Sequence, residues 1–106
     1  MFARQVSIHL KADVTAAFAN TIEKEVLPAL RKQQGFQDEL TLVAPGGRDA
    51  VAISFWDNKE NAEAYNKSAY PEMLKILGNV TDGPPQVRVF DVTNSTFHKI
   101  AASVAA

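Results

Sequence analysis

Eight side chains carry the groups this sequence could use for chemistry: His9, Ser54, Trp56, Tyr65, Asn66, Tyr70, Arg88 and Phe90. An imidazole has a reference pKa near neutrality, which makes His9 a candidate general base. It also stands beside Lys11 at a strand end, where a solvated or hydrogen-bonded histidine is the commoner outcome. Arg88 lies mid-strand and can hold a phenolate or superoxide, or can pair with Glu39, Asp91 or a partner's carboxylate. His9 and Arg88 are the catalytic candidates. Trp56, the single tryptophan, ends the apolar run "AVAISFW" and directly precedes a helix. It is either one wall of a ligand pocket or a core anchor, since most buried tryptophan is packing. Ser54 shares its face and either donates a hydrogen bond or is a small residue under a helix. Tyr65, Asn66 and Tyr70 border a helix break in "YNKSAY". Tyr65 reads as core with its hydroxyl at a rim, Tyr70 as a pocket lip, and Asn66 as either a ligand amide or turn chemistry. Phe90 completes the substrate-binding candidates.

Other chemistries find no support. The chain has no cysteine, which removes disulfides, thiolate nucleophiles and thiolate metal sites. The two histidines, His9 and His98, are far apart and the carboxylates are scattered, so no metal-ligand spacing exists. "PGGRD" is too short for a phosphate loop and no helix follows it. A net charge of −1 without any basic run argues against nucleic acid as a partner. "MFARQVSIHL" does not read as a signal peptide, and no stretch reaches the length of a membrane span. A soluble cytoplasmic protein is the expectation.

Positioning these residues requires elements whose order can be read from hydrophobic period. With 106 residues there is room for one core. Val6, Ile8 and Leu10 alternate with Gln5, Ser7 and His9, the period of a strand. Phe18, Ile22, Val26 and Leu30 recur at fours, a helical stripe, with Asp13 or Thr15 available as N-cap. Pro28 inside this helix should bend it near residue 24 or 25. Gly35 suits a left-handed stop and Phe36 folds back on the helix end. "FQDELTLVA" and "AVAISFW" flank the turn "PGGRD" as a hairpin over 36–56. Asp57 and Glu60 read as a capping box for the next helix, which breaks at 68–70 and restarts at Pro71. "QVRVFDV" is a fourth strand. The tail, 94–106, places Phe97, Ile100 and Val104 at helical spacing and either forms a short helix or frays.

Strand, helix, strand, strand, helix, strand is the order of a ferredoxin-like βαββαβ sandwich: a four-stranded antiparallel sheet, helices on one face. The domain is expected to span 1–93. One face is expected to hold Val6, Ile8, Leu10, Val51, Ile53, Phe55, Val87 and Val89. The other then takes His9, Ser54, Trp56, Arg88, Phe90 and Val92. Neither face suits water, so two sheets should pair face to face in a homodimer, forming an α/β barrel.

The helix end "EVLPALRKQQGF" and the run "ISFWDNKENAEAYNKSAYPEM" resemble the antibiotic biosynthesis monooxygenase family of the dimeric α/β-barrel superfamily. The resemblance covers about residues 2–93. It implies a homodimer with a pocket in each subunit between sheet and helices. It also implies oxidation of phenolic or quinol-like aromatic substrates by molecular oxygen with no cofactor: no metal, flavin or haem. Trp56 matches the tryptophan some members carry at the end of the third strand; the asparagine they carry four residues earlier is Ala52 here. A related haem-degrading branch uses a histidine on the following helix, and this chain has none between Asn58 and Val80. The expected activity is therefore a cofactor-independent monooxygenase. The alternative is a non-catalytic dimeric barrel that binds a small aromatic or hydrophobic metabolite, and a barrel lyase or isomerase is a third option.

Overall fold

The computed structural model describes residues 1–97. The expected tail helix beyond Phe97, and His98, lie outside the described residues. Strand β1 (Phe2–His9) is followed by a helix in three pieces: α1 (Thr15–Thr21), a π-helical turn (Ile22–Val26) and α2 (Leu27–Arg31). The hairpin β2 (Phe36–Val43) and β3 (Asp49–Trp56) comes next, then α3 (Lys59–Lys67), α4 (Tyr70–Leu77) and β4 (Gln86–Asp91). The strands form one sheet in the order β2-β3-β1-β4, every neighbouring pair antiparallel. This is the ferredoxin-like α+β arrangement.

The first helix is irregular for a local reason. Pro28 has no N–H to give to the carbonyl four residues back, and its ring crowds that turn. The chain widens just ahead of it, and the Leu27 N–H reaches Ile22 O, five residues back. Neither Asp13 nor Thr15 caps this helix: the N-cap position is Val14, with no side-chain bond. Asp13 instead adopts φ +59°, a left-handed turn that Asp tolerates. The expected capping box is also displaced by one residue. Asn58 is the N-cap of α3 and its side-chain oxygen accepts from the Asn61 N–H at 2.9 Å. Asp57 accepts from the Asn61 side-chain amide at 2.8 Å.

Gly35, at φ +79°, stops the first helix as its sequence position suggests. A β-carbon there would collide with the side chains of Asp57 and Asn61. The Gly35 carbonyl also accepts from Asp57 N–H at 2.9 Å, so the ends of the first helix and of β3 are locked together.

The face assignment of β3 is corrected. Ala50, Ser54 and Trp56 are buried and Ala52 packs on the core, in phase with Phe2, Arg4, Val6 and Ile8 of β1. Alternation then turns Val51, Ile53 and Phe55 to the helix-free side, with His9, Arg88 and Phe90. The helix-facing phase of β3 is small at Ala50, Ala52 and Ser54, while the larger residues face away. A run apolar in both phases does not reveal its inner face by periodicity.

Phe18, Leu10 and Trp56 are sealed at the centre of the core, between the sheet and the helices. Full burial of side chains of this size contributes roughly 1.5–3 kcal/mol each. Tyr65, Tyr70, Met73 and Leu77 close the core from α3 and α4.

Candidate functional site

Within this apolar layer one strand row is polar. Arg4 of β1 pairs with Ser54 of β3, and Ser54 pairs with Glu39 of β2. All three side chains point under the helices. Arg4 is only 3% exposed, because its phase along β1 is that of Phe2, Val6 and Ile8. Strands lie about 4.8 Å apart, so the Arg4 and Glu39 backbones stand roughly 10 Å apart across Ser54. No carboxylate lies within ion-pair distance of Arg4 among the described residues.

The break between α3 and α4 supplies the roof. Ser68 ends α3, its hydroxyl donating to Ala64 O at 2.7 Å, and this turn brings Tyr65, Asn66 and Tyr70 over Arg4. The Arg4 guanidinium lies 3.8 Å from the centre of the Tyr70 ring and 5.4 Å from that of Tyr65. It donates to the Asn66 side-chain oxygen at 2.7 Å, the one hydrogen bond it makes among the described residues. Desolvating a cation costs several kcal/mol, and two ring faces with one amide offset only part of that. The Tyr70 hydroxyl is buried with no hydrogen-bond partner among the described residues. Trp56 donates its indole N–H to Ser54 Oγ at 2.9 Å, which leaves the serine proton to be donated elsewhere.

These groups surround a cavity of about 40 Å³. Arg4, Ser54, Tyr65, Tyr70 and Glu39 meet there the apolar side chains of the π-helical turn, α2 and α4. A space of this size holds roughly three water molecules. On the far side of Arg4 lies an open groove of about 250 Å³, lined by Phe2, Ala62, Asn66, Val87 and Val89 along the uncovered edge of β4. Arg4 is the wall shared by the two spaces.

Burial pushes the Tyr65 hydroxyl up to about 12, against the opposing charge of Arg4, so it stays a donor at neutral pH. Burial likewise raises the Glu39 carboxyl above the usual range. The bond from Thr41, at 2.7 Å to one carboxylate oxygen, opposes that shift, and the neighbouring charge of Asp38 adds to it.

The structure brings together Ser54, Tyr65, Asn66 and Tyr70 of the expected site. Trp56 stands behind them: it is completely buried, packs against Tyr65 (5.1 Å between ring centres) and Phe36 (5.7 Å), and does not line the cavity. His9, Arg88 and Phe90 lie on the helix-free face. His9 is bound to Asp49 at 3.0 Å in an exposed pair, and the Arg88 guanidinium lies 5.1 Å from the Phe90 ring centre. Arg4 and Glu39 complete the cavity, and neither was expected there. The phase of Arg4 with Phe2, Val6 and Ile8 is the signal that points to it. Among the described residues no group of three His, Asp or Glu side chains could hold a metal, and no helix is long and apolar enough to cross a membrane.

Comparison with solved structures places the chain in the antibiotic biosynthesis monooxygenase fold, a ferredoxin-like sheet with its helices. A monooxygenase from the gene ActVA-Orf6 of Streptomyces coelicolor, in complex with nanaomycin D, superposes with a TM-score of 0.75 at 15% identity, covering 89% of this chain and 88% of that one. SnoaB, a cofactor-independent oxygenase from Streptomyces nogalater, gives 0.72 at 13% identity, over 90% of this chain and 95% of that one. An antibiotic biosynthesis monooxygenase assigned by similarity in Nitrosomonas europaea gives 0.71 at 16% identity, over 87% and 98%. No protein-family model and no curated protein sequence matches the chain.

Proposed function

We propose that this protein is a cofactor-independent monooxygenase of quinol-type or other aromatic substrates, acting as a homodimer. The observation that carries this reading is Arg4, a buried cation without a carboxylate partner, facing an apolar cavity under two tyrosines. In such a reaction the substrate itself reduces oxygen. One oxygen atom enters a ring carbon and the other leaves as water with two substrate hydrogens. The protein has to favour the deprotonated, electron-rich form and exclude bulk water. A desolvated guanidinium stabilises developing negative charge far more than it would in water. Arg4 takes the part first expected of Arg88. Glu39, whose carboxyl burial raises above its usual range, lines the cavity where exposed His9 does not, and is the candidate for proton removal. The three similar structures described above all bear oxygenase names, and that supports the reading.

A polycyclic substrate needs more room than the inner cavity has, and parting the Arg4–Asn66 contact would join it to the groove. Oxygen-electrode traces with a panel of reduced quinols should show uptake that depends on enzyme and falls at least tenfold in Arg4→Met. A flat trace across the panel counts against the reading. The second reading, a dimeric barrel that binds a small hydrophobic metabolite without turnover, is favoured by the small cavity and by Ala52 in its wall.

A further inference from the structure

We infer that the donor cluster around Arg4 is a carboxylate site: the ligand is an aromatic acid, its carboxylate held by Arg4, Tyr70 and Ser54 and its ring in the outer groove. The inference rests on the proposed function for the aromatic body alone. Three donors converge on one small cavity and none is used up. The guanidinium has given one N–H to Asn66 and keeps the others, out of five in all. The Tyr70 hydroxyl has no partner among the described residues. Ser54 accepts from Trp56 and keeps its own proton to donate. The Tyr70 hydroxyl is the one buried side-chain polar atom left without a partner among the described residues, and beside a buried guanidinium it calls for an acceptor from outside.

The acceptor's charge follows from Arg4. A guanidinium stays charged at any ordinary pH, so its desolvated site needs a counter-ion that is also charged at neutral pH. A phenol, with an unperturbed pKa near 10, is neutral there; a carboxylate is fully ionised and offers two oxygens with about four acceptor positions to a planar fork. The room fits as well. The inner cavity of about 40 Å³ is the smaller space and suits the carboxylate, and the groove of about 250 Å³ across Arg4 has apolar walls for the ring in Phe2, Ala62, Val87 and Val89. At its outer end Lys59 and Glu63 pair at 3.7 Å and add no net charge. Glu39 is the one acidic side chain lining the inner cavity.

Calorimetric titration under nitrogen, where no turnover can occur, tests this with 2-naphthoate, 2-naphthamide and 2-naphthol. Naphthoate should bind at least tenfold tighter than the other two, and Arg4→Met should abolish that preference. Tyr70→Phe separates ligand binding from packing even if Arg4→Met fails to fold. It removes a hydroxyl with no partner, so the melting temperature should hold or rise, yet naphthoate affinity should fall several-fold. Equal binding of naphthol, unchanged affinity in Tyr70→Phe, or no heat from naphthoate at millimolar concentration each overturns the inference. Arg4-dependent naphthoate binding with flat oxygen traces would sink only the oxygenase reading. Arg4-dependent oxygen uptake with uncharged quinols, in a protein that gives no heat with naphthoate, would sink only this one.

Discussion

Ser54 shows how much can hang on one hydroxyl. It is held by the indole of Trp56 and faces the cavity, so Trp56 positions the site through Ser54 without touching a ligand. Replacing Ser54 with Ala leaves the Trp56 N–H buried without its acceptor. That should cost about 1–3 kcal/mol, read as a lowered midpoint in urea unfolding with an unchanged slope. An unchanged midpoint would mean that the indole finds another acceptor. Two links of this chain were legible beforehand: Trp56 at the end of a strand, and Ser54 two residues earlier on its face. Arg4 was not, because arginine in a strand ordinarily sits at the surface. Only its phase with Phe2, Val6 and Ile8 marks it, and phase outranks residue type when the partners are aromatic faces rather than carboxylates.

At the level of elements, the order of strands and helices followed from hydrophobic period, turn residues and Pro71, because these act locally. The caps did not: Asp57 and Asn58 are adjacent and both can cap, and only the approach of Gly35 decides that Asn58 takes the helix while Asp57 serves the junction. Gly35 carries both a left-handed conformation and a contact too close for a side chain. Gly35→Ala should therefore destabilise the protein by about 1–3 kcal/mol. Thermal melts followed by circular dichroism would measure it, and a loss under a few tenths would show that the junction can move. The face of β3 was misread for a different reason. Its two phases are both apolar, and the inner one is small because a cavity lies above it.

At the scale of the whole molecule, no helix among the described residues covers the sheet face on which Leu40, Leu42, Val51, Ile53 and Phe55 stand together, with Phe90 nearby. Leu42 and Phe90 are 54% and 40% exposed. Soluble monomers rarely leave a broad apolar face open to water. Its existence was legible from the element order, although its composition was not. In the proposed homodimer this face meets its copy, which would bring His9 and Arg88 to the interface. Light scattering at micromolar concentration should give twice 11.6 kDa, and Ile53→Asp should give the single mass with the far-ultraviolet spectrum unchanged. A single mass for the parent protein would remove the dimer from the proposal.

Trp56 is also the molecule's only strong fluorophore, and it is sealed from solvent. A quencher that works by collision reaches it only when the core itself opens, so its accessibility is a clock for breathing motions of the fold. A bound ligand changes its light at second hand, through the serine it holds and the tyrosine stacked beside it.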